Sequence, residues 1–150
     1  MANVAVIGLG MGRVHLRVYS ALPDVRILAI ADVDRDRLLA YAKEYGVPHA
    51  FEDYRDLLAL PELDAVSICL PNYLHKPATI DALRAGKHVL VEKPMAMSAA
   101  EAEEMLAVAQ EHNKTLAVSM NYRWSNGPES WYLKHLISEG KLGTIYYIRS

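Results

Sequence analysis

The chain has 150 residues, of which 52% are hydrophobic and 23% are charged. This length is enough for one globular domain with a sizeable core, and the composition is ordinary for a soluble protein, which argues against a disordered or fibrous chain. The formal net charge of −2 provides no strong basic field, so we expect a small-molecule partner and neither nucleic acid nor an anionic membrane.

Cysteine usage and the N-terminus indicate the compartment. Cys69 is the only cysteine, so no intrachain disulfide can form, and its place at the end of an apolar run predicts a buried thiol. The N-terminus has no basic leader, and no apolar run approaches the length of a membrane span. We therefore expect a cytoplasmic protein.

Five short apolar runs predict the strands of a sheet. They cover residues 4–7, 27–30, 65–70, 88–91 and 116–119, and stretches with helical periodicity lie between most of them. Runs that are apolar on both faces are typical of parallel strands covered by helices on both sides. The alternation predicts an α/β fold with a Rossmann-type doubly wound parallel sheet.

Three of the intervening helices have recognisable boundaries. The clearest begins near Ser98, where Ser98 and Glu101 match a capping box, and another ends at Gly46. Gly86 is the predicted C-terminal cap of the helix before the fourth strand. The predicted core-facing positions are Ala102, Met105, Leu106 and Ala109 in the first helix and Leu38, Leu39, Ala42 and Tyr45 in the second.

The pattern changes after Ser119. Residues 121–125 are polar and aromatic, residues 128–139 have a helical pattern, and residues 144–149 predict a strand. We therefore expect a nucleotide-binding domain over residues 1–120, followed over residues 121–150 by a hinge, a helix and the first strand of a truncated second α/β domain. The last strand is apolar enough to need a pairing partner, which favours a homo-oligomer formed through it.

A glycine-rich turn directly follows the first strand. Its glycines are Gly8, Gly10 and Gly12, with Arg13 where the third glycine of G-x-G-x-x-G would stand, so either the loop is one residue shorter or Gly12 takes the packing role. A tight turn without a ligand is the alternative, but the preceding strand, the following helix and a later acidic residue favour a dinucleotide. The predicted cofactor-binding residues here are Gly8, Gly10, Met11, Gly12 and Arg13.

Asp32 ends the second predicted strand. At this place a carboxylate accepts hydrogen bonds from the adenosine ribose hydroxyls, and it would repel a 2′-phosphate, which favours NAD over NADP. Arg35 and Arg37, just downstream, are placed to bind such a phosphate. The alternative role for Asp32 is a helix N-cap, for which Asp34 is equally placed.

Two later segments carry the most specific signal. The first reads Leu70-Pro71-Asn72-Tyr73-Leu74-His75, and the second, after Gly86, ends with Glu92-Lys93-Pro94. Together with residues 121–124, they resemble the Gfo/Idh/MocA family of oxidoreductases. The resemblance covers essentially all 150 residues and implies a Rossmann domain followed by an α/β substrate domain with a large open sheet.

Glu92 and Lys93 lie at the carboxyl end of a predicted parallel strand, where ligands bind in open α/β sheets. Pro94 keeps Lys93 out of helical geometry, and partial burial beside a positively charged nicotinamide would favour the neutral amine, which can relay a proton. The resemblance implies that Lys93 positions and deprotonates the substrate hydroxyl, that Glu92 lies near the nicotinamide ribose, and that the Lys93–Pro94 bond is cis. The alternative is a surface salt bridge at a strand end.

Four further residues are predicted to bind the cofactor through the resemblance. Leu70, Pro71 and Asn72 are expected to lie against it, and Arg123 is expected close to the nicotinamide, with Trp124 packed beneath that arginine. His75 is predicted either to contact the cofactor or only to start the next helix. No metal is expected, because none of the remaining histidines has metal-ligand spacing with Cys69 or nearby carboxylates: His15, His49, His88, His112 and His135.

The expected function is that of an NAD-dependent oxidoreductase that oxidises a secondary alcohol of a sugar, polyol or related compound, with Lys93 as the catalytic residue contributed here. The resemblance implies further acid/base residues, commonly an Asp and a His, in the second domain. Nothing after Trp124 matches that motif, so we expect this chain alone to bind NAD without turnover. The alternatives are a stand-alone NAD-binding or interaction module and an enzyme that retains and recycles its cofactor.

Overall fold

The computed structural model describes residues 1–120 and 128–146. The chain divides into two compact units, the first formed by Met1–Ser119 and the second beginning at Met120. Within the described residues, no helix is both long enough and apolar enough to cross a membrane.

The first unit is built on a six-stranded sheet. Its strands are β1 (Ala2–Ile7), β2 (Val25–Ala31), β3 (His49–Phe51), β4 (Ala65–Ile68), β5 (His88–Glu92) and β6 (Leu116–Ser119). They lie in the order β3-β2-β1-β4-β5-β6, and each neighbouring pair is parallel. The predicted Rossmann-type parallel sheet is therefore confirmed.

Helices cover both faces of this sheet. They are α1 (Leu9–Ser20), α2 (Arg35–Tyr45), α3 (Tyr54–Leu58), α4 (His75–Arg84), preceded by the 3-10 turn Asn72–Leu74, and α5 (Ala99–Glu111). Successive residues of a strand point to opposite faces, and accordingly Val6 lies in one buried cluster with Leu16 of α1, whereas Ile7 lies in the other with Met105 of α5. Two covered faces explain why the strands are continuously apolar.

The helix caps follow the sequence closely. Asp34 caps α2 by accepting the N–H of Arg37, and Gly46 ends α2 in the left-handed region, with φ of 62°. At α5, the Ser98 hydroxyl accepts the N–H of Glu101, and the Glu101 carboxylate accepts the N–H of Met97 rather than that of the cap residue. Gly86, with φ of 76°, follows the end of α4 as predicted.

Some predicted features of the first unit are wrong. The sequence did not predict β3, because His49–Phe51 is a three-residue edge strand without an apolar run, nor the single-turn helix α3. Leu39 and Leu106 were expected to face the core but are 54% and 47% exposed. Val108, which is 6% exposed, takes a core position on α5 instead.

In the second unit, the described residues form one helix, α6 (Pro128–Ser138). None of its described side chains is buried, and Trp131 and Tyr132 are largely exposed. Of the strand predicted over residues 144–149, residues 144–146 have no strand assignment, and the remainder lies outside the described residues.

Close packing of α1 on β1 generates a stability prediction. A Cβ added at Gly12 would lie 2.6 Å from Cγ1 of Val6, a fully buried, β-branched side chain that cannot turn away. We expect Gly12→Ala to lower the free energy of unfolding by about 1–3 kcal/mol, the usual cost of overpacking. Urea denaturation measures the change.

Gly10→Ala is the matched control, because a Cβ at Gly10 meets no atom within 4 Å. It should leave the free energy of unfolding unchanged or slightly higher, since alanine favours a helix more than glycine does. Equal destabilisation by the two substitutions would contradict the packing argument.

Candidate functional site

The candidate site lies at the carboxyl ends of β1 and β4. The strand order reverses between these two neighbours, because β2 and β3 continue on one side and β5 and β6 on the other. In open parallel sheets, such a switch point leaves a crevice in which ligands bind. The chain leaves β1 through Gly8 and leaves β4 through Cys69 and Leu70, so two predicted segments meet here.

The glycines of the first turn have three different surroundings. Gly8 has φ of 87°, and a Cβ there would lie 2.6 Å from the Cys69 carbonyl oxygen, so the backbone admits only glycine. Gly10 faces open space, whereas Gly12 packs on Val6. The sequence left two interpretations of the irregular glycine spacing, a loop one residue shorter or a packing role for Gly12. The structure matches the second.

The N-terminus of α1 is suited to bind an anion. The first bond within the helix runs from the Gly12 N–H to the Gly8 carbonyl, at 3.1 Å. The N–H groups of Gly10 and Met11 precede it at the positive end of the helix dipole, where phosphates commonly bind. Gly10 lacks the side chain that would fill this approach, and Met11 and Arg13 are exposed beside it.

Asp32 follows β2 and is buried, with 6% of its surface exposed. Its carboxylate accepts the N–H groups of Leu9 at 2.6 Å and Asp34 at 2.8 Å. It also accepts two bonds from Arg37, from Nε at 3.1 Å and Nη2 at 2.7 Å. Burial opposes ionisation of Asp32, but the bonds from Arg37, Asp34 and Leu9 outweigh it and hold its pKa below the ordinary value. Because Asp34 caps α2, Asp32 is not the helix cap.

The two arginines considered as phosphate ligands differ in position. Arg35 makes an exposed ion pair with Glu52, at 3.8 Å. Arg37 binds both oxygens of Asp32 and also pairs with Asp34 at 3.2 Å. A carboxylate has about four acceptor positions, and Asp32 already receives four N–H bonds, two of them from Arg37.

Glu92, the last residue of β5, is a second buried carboxylate at the same edge. Its Oε1 lies 3.1 Å from Nε2 of His15, and its Oε2 accepts the N–H of Lys93 at 3.2 Å. Burial opposes ionisation of Glu92, but hydrogen bonds from His15, the Ser119 side chain and the Lys93 N–H outweigh it and lower its pKa.

Lys93 differs from the expectation in one respect. It stands at the carboxyl edge, and the Lys93–Pro94 bond is cis, as the resemblance implied. The side chain, however, is exposed rather than partly buried, because β5 ends at Glu92. Among the described residues it makes no ion pair within 4.0 Å, so the surface salt bridge considered as an alternative is not formed there.

The segment after β4 lies at the same edge. Leu70 is half-buried, whereas Pro71 and Asn72 are exposed. His75 is 1% exposed and starts α4; its Nε2 lies 2.8 Å from the Leu70 carbonyl oxygen, and its Nδ1 lies 2.7 Å from the Pro94 carbonyl oxygen. The ring thus joins the segments after β4 and β5 through both of its nitrogens.

The sequence reasoning missed a buried group beneath this edge. His15 was considered only as a metal ligand, yet it bonds Glu92 and Ser67. A signal was available, since Gly12, His15, Leu16 and Tyr19 recur at helical spacing on one face of α1.

Other predictions for the site have simpler outcomes. Arg123 and Trp124 lie outside the described residues. Within residues 1–120 and 128–146, no three His, Cys, Asp or Glu side chains are grouped so that they could hold a metal ion. Cys69 is free and buried as predicted, and burial, assisted by the charge of Glu92, raises the pKa of its thiol to about 12.

Comparison with known proteins identifies relatives of the whole chain. The family model described as an oxidoreductase family with an NAD-binding Rossmann fold matches residues 2–120. D-glucoside 3-dehydrogenase of Escherichia coli is 34% identical over 146 residues, which are 96% of this chain and 41% of that protein. The chain thus spans about two fifths of the length of such relatives.

Solved structures agree with this result. Scyllo-inositol dehydrogenase from Lactobacillus casei, with bound NAD(H) and scyllo-inositol, has a TM-score of 0.86 and 30% identity, covering 97% of this chain and 43% of that one. The 3-ketoreductase KijD10 from Actinomadura kijaniata, in complex with TDP-benzene and NADP, has a TM-score of 0.82 and 33% identity, covering 93% and 44%.

The lowered pKa of Asp32 makes stability depend on pH. Because the pKa is lower in the folded than in the unfolded chain, the contribution of the ionised carboxylate is complete above the ordinary value of 3.8 and is lost as the pH falls through the folded value. We expect Asp32→Asn to lower the free energy of unfolding by about 1–3 kcal/mol at neutral pH, because charged hydrogen bonds are lost.

Urea denaturation over a pH series checks this, with Asp24→Asn, at an exposed turn, as the control. The difference between wild type and Asp32→Asn should shrink below pH 3.8. A difference that is independent of pH would contradict the assignment.

Proposed function

Because the chain belongs to the Gfo/Idh/MocA oxidoreductase family, we propose that it is the nucleotide-binding portion of an NAD-dependent oxidoreductase that oxidises a secondary alcohol of a sugar, polyol or related compound. The observation that carries this proposal is the convergence of the Gly8–Gly12 turn, Asp32 and the Glu92-Lys93 strand end on one edge of the sheet. The family match and the sugar and inositol dehydrogenases among the relatives support the reaction class.

The adenosine half of the cofactor fits the first βαβ unit. The pyrophosphate would bind the N–H groups of Gly10 and Met11, where the absence of a side chain at Gly10 leaves room, and Arg13 would add charge. The ribose hydroxyls would bind Asp32. A turn without a ligand would not need the open space beside Gly10, so this space supports the interpretation that the turn binds a cofactor.

The nicotinamide half would lie over the ends of β4 and β5. Leu70, Pro71 and Asn72 would contact it from one side and Glu92 from the other, and Arg123, which lies outside the described residues, is retained from the sequence as a proposed further contact. The bound nicotinamide supplies the hydride acceptor. The positive charge of the bound nicotinamide would favour the neutral amine of Lys93. That amine would accept the proton of the substrate hydroxyl as the C–H hydrogen leaves with its electron pair, so the alcohol is oxidised to a carbonyl and the cofactor is reduced.

Arg37 bears on the choice between NAD and NADP. For NAD, the ribose hydroxyls would replace the bonds of Arg37 to Asp32 while the ionised carboxylate keeps its acceptor role. For NADP, Arg37 would bind the 2′-phosphate, but the phosphate would lie beside the Asp32 carboxylate and be repelled. We propose NAD as the preferred cofactor, although relatives include a structure with NAD(H) and one with NADP.

We also propose a cytoplasmic homo-oligomer. The single, buried thiol of Cys69 suits a reducing compartment. Trp131 and Tyr132 expose large apolar surfaces on α6, and such surfaces often mark contacts between proteins.

The cofactor assignment predicts a specific loss of affinity. Asp32→Ala should weaken NAD binding about tenfold or more, an energy of about 1.4 kcal/mol, because the ribose hydroxyls lose their acceptor. Arg37→Ala should weaken NADP binding while leaving NAD binding unchanged or stronger. Isothermal titration calorimetry with both nucleotides measures these changes.

The control is Glu104→Ala, since Glu104 lies on the solvent side of α5 and pairs with Lys76. It should not change either affinity. Equal effects of Asp32→Ala and Glu104→Ala would remove the ribose assignment.

A second prediction concerns turnover. The 150-residue chain should bind NAD and produce no NADH, because it spans about two fifths of the length of relatives such as D-glucoside 3-dehydrogenase and the resemblance assigns further acid/base residues to a second domain. Absorbance at the NADH band, recorded with a panel of sugars and polyols on a sample whose NAD binding has been measured, tests this. Steady NADH production from any polyol would refute it.

A further inference from the structure

A line of buried polar side chains runs from α1 to the end of β5. The hydroxyl of Tyr19 lies 2.6 Å from Oγ of Ser67, which lies 3.2 Å from Nδ1 of His15. On the other side of the ring, Nε2 of His15 lies 3.1 Å from Oε1 of Glu92. His15, Ser67 and Glu92 are each 9% exposed or less. We call these four residues the His15 chain.

Proton counting gives the His15 chain one consistent direction when the ring is neutral. The ionised Glu92 carboxylate can only accept, so Nε2 of His15 must donate. Nδ1 then accepts the hydroxyl proton of Ser67, whose oxygen accepts the hydroxyl proton of Tyr19. Every hydrogen bond of the His15 chain can therefore form at the same time, and the tautomer of His15 is assigned from this network.

The His15 chain ends at the backbone N–H of Lys93. Oε2 of Glu92 accepts the Lys93 N–H, while Oε1 faces His15. The carboxylate is therefore held from two sides, and its orientation fixes the peptide that precedes Lys93. A hydrogen-bond partner that fixes a ligand group in this way strongly affects function in other sites.

We propose that His15 is a positioning residue for the Glu92-Lys93 strand end, acting through the Glu92 carboxylate. This inference rests on the proposed function, since that strand end is the assigned contact for the nicotinamide half. His15 makes no bond to Asp32, so its effect falls on the nicotinamide half and not on the adenosine half of the cofactor.

The electrostatics distinguish positioning from simple packing. Among the described residues, the groups that face Glu92 are His15 from α1, Ser119 from β6, Cys69 after β4 and the Lys93 N–H. Burial alone would favour the protonated carboxyl group, and the hydrogen bond from His15 is the first of the effects that lower the pKa of Glu92. Loss of that bond should therefore raise the pKa and leave the Lys93 N–H with a neutral acceptor at mildly acidic pH.

Two amide substitutions separate the two bonds of the ring. His15→Asn keeps a polar group near the Nδ1 position, facing Ser67, but is too short to reach Glu92. His15→Gln places an N–H donor near the Nε2 position. His49→Leu, at an exposed histidine on β3, is the matched control.

The experiment measures the affinity of the 150-residue chain for NAD and for ADP by calorimetry over a pH series. ADP reports the adenosine half alone. We expect His15→Asn to weaken NAD binding about tenfold with little change in the affinity for ADP. As the pH falls, the affinity for NAD should decline in both proteins, and the decline should begin at a higher pH in His15→Asn than in wild type. His15→Gln should restore most of the NAD affinity, and His49→Leu should match wild type.

An unchanged ratio of NAD to ADP affinity in His15→Asn, or equal loss of both, would overturn the inference while leaving the proposed function intact. Failure of wild type to bind either nucleotide would instead overturn the proposed function, and the inference with it.

Should His15→Asn fail to fold, the wild-type chain gives a second measurement by nuclear magnetic resonance. We expect a proton on Nε2 of His15 and a Glu92 pKa below the ordinary value of 4.5. An unprotonated Nε2, or a Glu92 pKa at or above that value, would overturn the inference.

Discussion

The close approach of α1 to the sheet determines the rest of the site. Gly8 touches the carbonyl of Cys69 and Gly12 touches Val6, so a side chain at either place would push the helix away. At this distance, the N–H of Leu9 reaches Asp32 and the ring of His15 reaches Glu92. Helix α1 therefore orients both buried carboxylates. Because Gly8 and Gly12 allow its close approach, they affect the hydrogen bonds to these charges as well as the packing.

Both carboxylates remain ionised for the same physical reason. Burial alone would raise their pKa values, but each accepts several N–H or imidazole hydrogen bonds, which favour the charged form more strongly. These bonds come from different strands and helices, so the charge is stabilised only in the folded chain. The edge thus holds two fixed negative charges on either side of the positive N-terminus of α1.

The sequence predicted most of the fold because strands covered on both faces are continuously apolar. It missed β3, a three-residue strand in which only Phe51 is partly buried, and it assigned Leu39 and Leu106 to a core that they do not reach. At the site, Asp32 was recognisable from its distance to the glycine turn. The bonds of His15 were not, because its partners lie 52 and 77 residues away and no local pattern connects them.

The two carboxylates differ in what a ligand must displace. The side chain of Arg37 is 38% exposed, so a guanidinium that leaves Asp32 regains water, and Asp32 keeps its bonds from the N–H groups of Leu9 and Asp34. The His15 bond to Glu92 has no such compensation, because the imidazole is only 10% exposed and would stay buried without its partner. A ligand can therefore exchange with protein donors at Asp32 but must fit the existing arrangement at Glu92. Under the proposed function, the adenosine end would thereby be adaptable, whereas the end that carries Lys93 would be fixed before the cofactor binds.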